Sequence, residues 1–68
     1  MNVVADVAGK VWRIEARPGA QLAAEDTILI LESMKMEIPV AAAAGRLIEL
    51  RVKEGDAVQE GEVLAVIG

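Results

Sequence analysis

The sequence contains no cysteine and no histidine. Without cysteine there is neither a disulfide framework nor a thiolate metal site. Without histidine the chain loses the commonest general base and the commonest metal ligand together. Phenylalanine and tyrosine are also missing, and Trp12 is the one aromatic residue. The seven basic residues (Lys10, Arg13, Arg17, Lys35, Arg46, Arg51, Lys53) are dispersed, and eleven acidic residues bring the net charge to −4. A nucleic-acid surface needs clustered positive charge, so no nucleic-acid partner is expected. No apolar run approaches the roughly 18 residues of a membrane span. The stretch "MNVVADVAGK" lacks a basic leader ahead of an apolar core. The expectation is a cytoplasmic protein with no membrane partner.

With 68 residues, the chain reads as one small domain over 1–68. Such a domain buries only about 60% of its unfolded surface, so its stability is marginal. It is too small for a deep cleft and lacks the usual catalytic side chains. A non-enzymatic binding or carrier module is expected in place of a self-contained enzyme.

What the chain does contain is a repeat. Ala8–Leu31 lies over Ala44–Ile67 without a gap, at an offset of 36. Gly9 falls on Gly45, Gly19 on Gly55 and Lys10 on Arg46. Val11 meets Leu47, Trp12 meets Ile48, Ile14 meets Leu50, and Leu22 meets Val58. The preceding "NVVA" (2–5) is placed on "IPVA" (38–41) at the same offset.

Each unit reads as β. Trp12, Ile14 and Ala16 alternate with Arg13, Glu15 and Arg17, and Ile48, Leu50 and Val52 alternate with Glu49, Arg51 and Lys53. That period of two predicts one buried face. Gly19, Gly55 and Gly61 mark turns, where glycine reaches positive φ at little cost. The predicted core is Val11, Ile14, Leu22, Ile28, Ile30, Leu47, Leu50, Val58, Leu64 and Val66. Alanine is the best helix former, so "VAAAAGRLIEL" has a competing helical reading. Gly45, and the poor helix in the matching "DVAGKVWRI", argue against it. Short strands between turn signals indicate a sandwich or barrel.

The junction between the units is "ESMKME", residues 32–37. In a pseudo-two-fold β structure it forms a hairpin centred on Met34-Lys35, with the chain termini at the opposite end. Met-Lys suits a two-residue hairpin poorly, because the central positions of such a turn want Asn-Gly or Asp-Gly. Sequences tend to break a local rule at functional sites. A lysine at a hairpin is ordinarily just solvated, and two methionines on adjoining strands are ordinarily core. Soft, adaptable thioethers beside a turn also suit a surface that a partner must grip.

"ESMKMEIPV" resembles the biotinyl attachment motif, usually Glu-Ala-Met-Lys-Met, of biotin carboxyl carrier proteins and biotin-dependent carboxylases. Gly19, the closing "VKEGDAVQEGEVLAVIG" and the internal repeat agree with it. The chain is most similar to small free-standing biotin/lipoyl attachment proteins. The resemblance implies an all-β flattened barrel, a barrel-sandwich hybrid of two four-stranded antiparallel sheets with pseudo-two-fold symmetry. It implies biotin joined covalently to Lys35 by a biotin protein ligase, with Glu32, Ser33, Met34 and Met36 recognised by that ligase. The carrier would then serve biotin carboxylase and carboxyltransferase partners, such as those of an acyl-CoA carboxylase, and be monomeric on its own. Ser33 replaces the usual alanine. Glu25 stands where the second unit has Gly61, so it is strained if that turn keeps positive φ. The ungapped repeat leaves no room for the protruding thumb loop of some bacterial carriers.

Two alternatives use the same fold. A lipoyl carrier would bear lipoate on Lys35, although lipoyl domains more often show Asp-Lys-Ala at the tip. An unmodified structural or interaction domain would bear nothing.

Overall fold

The computed structural model describes all residues from Met1 to Gly68 and contains eight strands and no helix. They are β1 (Asn2–Val4), β2 (Gly9–Ile14), β3 (Gln21–Leu22), β4 (Thr27–Ser33), β5 (Met36–Ala41), β6 (Gly45–Leu50), β7 (Ala57–Val58) and β8 (Val63–Ile67). Two four-stranded sheets form, ordered β1-β8-β6-β3 and β5-β4-β2-β7, with every pairing antiparallel. Advancing each strand by four exchanges one order for the other, which is the pseudo-two-fold expected from the repeat. The body measures 30 × 17 × 17 Å. "VAAAAGRLIEL" is strand, bend and strand, as the repeat required.

The core between the sheets is wholly apolar. Val11, Leu22, Ile28, Leu29, Leu31, Leu47, Val58, Leu64 and Ile67 fill it, with five alanine and valine residues around them, and no polar side chain is buried. Glu25 keeps the turn geometry of its counterpart, at φ 71 against 85 for Gly61. Its N–H donates to the Ala42 carbonyl at 2.8 Å, and the N–H of Gly61 donates to Ala5 at 2.8 Å. Carboxylates close these turns: Asp26 Oδ2 accepts from the Ala23 N–H and Glu62 Oε1 from the Gln59 N–H, both at 2.9 Å.

Three expectations need correction. Trp12 and Ile48 are 45% and 57% exposed and stand outside the core. Ile30 and Val66 are only half-buried, and Ile14 and Leu50 pack on the core from its margin. The cause is a set of β-bulges, each adding one residue and reversing the inward and outward faces beyond it. The β2–β4 register slips between Val11 and Arg13, and the β6–β8 register slips between Leu47 and Glu49. Trp12 and Ile48 are the extra residues and turn outward. A second pair of bulges, at Ile28 and Leu64, buries Ile28 with Leu29 and Leu64 with Ala65, so Ile30 and Val66 face away.

The third correction concerns the repeat. Val3 and Val40 face the equivalent residues Ala65 and Leu29, and Ala5 and Ala42 are both buried. Residues 2–5 therefore match 39–42, at an offset of 37. The bend between β1 and β2 holds one more residue than the bend between β5 and β6.

The β4–β5 hairpin as candidate functional site

The β4–β5 ladder runs through Ile30↔Pro39, Leu31↔Ile38, Glu32↔Glu37 and Ser33↔Met36, leaving Met34 and Lys35 at the apex. The lower part of β4 is fixed by Ile28, Leu29 and Leu31 in the core. β5 is an edge strand, so Pro39 can lack its N–H without breaking the sheet. Met34 and Lys35 have φ of 52 and 65, the backbone signature of a type I′ turn. That conformation costs an L-residue on the order of 1–2 kcal/mol. The hairpin holds it because six ladder positions and the buried base of β4 leave the two residues no alternative.

Met34 is 92% exposed and Met36 63% exposed. Neither is a core residue, which removes the ordinary explanation for a pair of methionines on adjoining strands. Lys35 is exposed, and its ammonium makes no ion pair or hydrogen bond. Glu32 and Glu37 are exposed and stand directly opposite each other, a like-charge pairing that disfavours the sheet. Lys10 on β2 is in register with Glu32 from the other side. Ser33 is half-buried. Glu32, Ser33, Met34 and Met36 thus surround Lys35 on one hairpin. Gly19, Gly55 and Gly61 lie at φ 95, 95 and 85 in the turns, where a side chain would meet no atom within 4 Å. They shape the barrel and are not part of the hairpin.

One residue was not singled out as part of this site. Gly9 on β2 lies so close to β4 that a Cβ there would be 2.6 Å from the Glu32 carbonyl oxygen and 3.4 Å from Ser33 Cβ. Its lack of a side chain lets β2 support the strand immediately below the apex. The signal was present in the sequence, as the matching Gly9-Lys10 and Gly45-Arg46. Gly45 makes the same kind of approach, with a Cβ 2.7 Å from Ile67 Cγ2 and 2.8 Å from the Gly68 carbonyl oxygen.

No pocket opens on the surface, and no group of three or more Asp or Glu is arranged to hold a metal. The hairpin instead presents one unpaired amine on a long stem, outside the body. That suits a covalent passenger, which needs an accessible nucleophile and no binding cavity.

Residues 1–67 match the family model described as biotin-requiring enzyme. A biotin/lipoyl attachment protein of Bacillus subtilis is 45% identical over 65 residues, which is 94% of this chain and 89% of that protein. The biotinylated protein TB7.3 homolog of Mycobacterium leprae is 40% identical over 67 residues, covering 97% of this chain and 94% of that one. Among solved structures, the Kluyveromyces lactis urea carboxylase contains a region that superposes on the whole chain with a TM-score of 0.94 at 32% identity, about 6% of that enzyme.

Proposed function

The chain belongs to the biotin/lipoyl attachment domain family, and from that premise we propose that it is a biotin carrier with the cofactor bound through Lys35. The carrying observation is the apex itself. An unpaired lysine stands at positive φ between two methionines that are 92% and 63% exposed. Nothing in the packing of the barrel calls for that arrangement.

A biotin protein ligase would activate biotin as biotinyl-adenylate; Lys35 Nζ would attack its acyl carbon, the acyl–phosphate bond would break, and AMP would leave as the amide forms. Lys35 makes no hydrogen bond or ion pair on the hairpin, so a base for the attachment step would have to come from the ligase. Glu32, Ser33, Met34 and Met36 form the surface that the ligase would read: two apolar thioethers beside the target, with a carboxylate and a small hydroxyl below. The attached biotin would supply a carboxyl-accepting ring nitrogen at the end of a long arm. The domain does no chemistry; it would bring that arm to a biotin carboxylase and then to a carboxyltransferase. Tethering keeps the passenger at high effective concentration at both sites. The likeness to a region of a urea carboxylase supports partners of this kind. Without a thumb loop, nothing above the apex would hold the biotin against the barrel.

The test is intact mass after co-expression with a biotin protein ligase and free biotin, alongside Lys35→Arg. A biotin-sized increment that the substitution abolishes is the expected result. An unmodified protein would refute the biotin assignment. A second reading, lipoate on Lys35, is favoured by the Bacillus subtilis relative, whose name includes both cofactors. The same experiment with a lipoyl ligase decides it.

A further inference from the structure

We infer that Met34 and Met36 are an oxidation site that controls attachment at Lys35, with a peroxide as the oxidant. The inference rests on the proposed biotinylation of Lys35. The chain has no cysteine and three methionines, so its thioethers are its only sulfur. Two of the three flank Lys35, and none is among the fourteen core residues. Met34, at 92% exposure, is the most open of the large apolar side chains, and Met36 sits one ladder step below the apex, opposite Ser33. The third, Met1, is 73% exposed but pairs with the C-terminal strand, its N-terminal ammonium donating to the Ile67 carbonyl. It lies apart from the hairpin.

The step is a two-electron oxygen transfer. The thioether sulfur attacks one oxygen of hydrogen peroxide, an S–O bond forms and the O–O bond breaks. The proton passes to the departing oxygen and water leaves. Sulfur is oxidised and peroxide reduced. The product is a polar, chiral sulfoxide that reductases can return to the thioether. Methionine oxidation commonly damages proteins by disrupting their cores. Here no methionine is in the core, so the barrel is expected to survive, and the change is confined to the surface around the target lysine. A ligase that closes over two apolar thioethers would have to desolvate two sulfoxides instead, which is expected to slow attachment about tenfold or more.

The experiment treats the full apo chain with hydrogen peroxide and maps sulfoxide to each methionine by peptide mass. Unfolding midpoint and the initial rate of biotin uptake with purified ligase are then measured. Expected are sulfoxides at Met34 and Met36, an unchanged midpoint, and uptake about tenfold slower or more. Methionine sulfoxide reductases of both epimer specificities, with a dithiol reductant, should restore the rate. Sulfoxide at Met1 alone should not alter it. In a Met34→Leu/Met36→Leu variant, treated and untreated rates should agree; if that variant is itself a poor substrate, recovery by the reductases decides. Equal uptake by oxidised and untreated wild-type chain, or a loss that the reductases do not reverse, would overturn the inference alone. No uptake by the untreated chain would overturn the biotin reading, and this consequence with it.

Discussion

Gly9→Ala tests whether β2 supports the β4–β5 hairpin from below. The added Cβ would be 2.6 Å from the Glu32 carbonyl oxygen and 3.4 Å from the carbonyl carbon. The first distance is well inside the roughly 3.5 Å at which heavy-atom contacts become favourable. The obstacle is backbone, so no rotamer change relieves it; β2 and β4 must part. Overpacking of this kind costs about 1–3 kcal/mol. Gly9 is not at positive φ, so the cost is steric. Gly61→Ala isolates the other term, because its φ is 85 and no atom lies within 4 Å of the new Cβ. Urea unfolding of both variants gives the comparison, read as a shift in midpoint at constant slope. Glu32 lies three residues before Lys35, so Gly9→Ala should also slow cofactor attachment under conditions where the variant is fully folded. Gly61→Ala should not. A Gly9→Ala variant within about 0.5 kcal/mol of the parent, with an unaltered attachment rate, would refute the close approach and its role.

Three further outcomes are expected. Glu25→Gly should stabilise by about 0.5–1 kcal/mol, the relief of a left-handed residue less the added freedom of the unfolded chain; urea unfolding reads it. Leu64→Ala deletes a fully buried side chain and should cost about 2–5 kcal/mol. A chain of this length has roughly 3–10 kcal/mol in total, so the thermal transition should fall sharply or vanish. Met34→Asn places a residue tolerant of positive φ at the apex; it should raise the unfolding midpoint slightly while slowing attachment, and mass spectrometry of a timed ligase reaction separates the two effects.

The sheets were legible in the sequence because the fold is written twice. Val11 over Leu47, Leu22 over Val58 and Gly19 over Gly55 fix strands and turns without any appeal to propensity, and they overrule the alanine run that suggests helix. The hairpin was legible for the same reason, as the segment left between the units. The errors at Trp12, Ile48, Ile30 and Val66 share one source. A strict period of two assumes an unbroken ladder, and each unit contains two bulges. A bulge depends on which backbone groups pair across the sheet, and side-chain identity along one strand carries little trace of it. Both units have the same bulges, so comparing them could not expose the error. The misplaced offset at β1 is different: "NVVA" fits "IPVA" and "PVAA" about equally well, and only the pairing of Val3 and Val40 with equivalent partners separates them. Gly9 is legible in the sequence only as a matched position of the repeat, because its role lies in a distance to another strand.

The repeat also separates what the barrel requires from what it merely carries. Whatever the fold needs, it needs in both halves: the bulges at Trp12 and Ile48, the bulges at Ile28 and Leu64, the close glycines Gly9 and Gly45, and the positive φ at residues 25 and 61. Some features occur once. Glu54 Oε2 accepts from the Ile14 N–H at 2.9 Å, while its counterpart Pro18 has no carboxylate to offer. The bend after β1 holds an extra residue. Both are small adjustments within the body. The third singular feature is the hairpin, and it is of another kind. It projects two left-handed residues, two exposed thioethers and two opposed carboxylates. At the corresponding place in the other half, Asn2 pairs with Val66 and the Ile67 N–H donates to the Met1 carbonyl. The apex is strained and exposed and places no side chain in the core. On the function proposed above, that surface serves the partners of the carrier, which would act on Lys35.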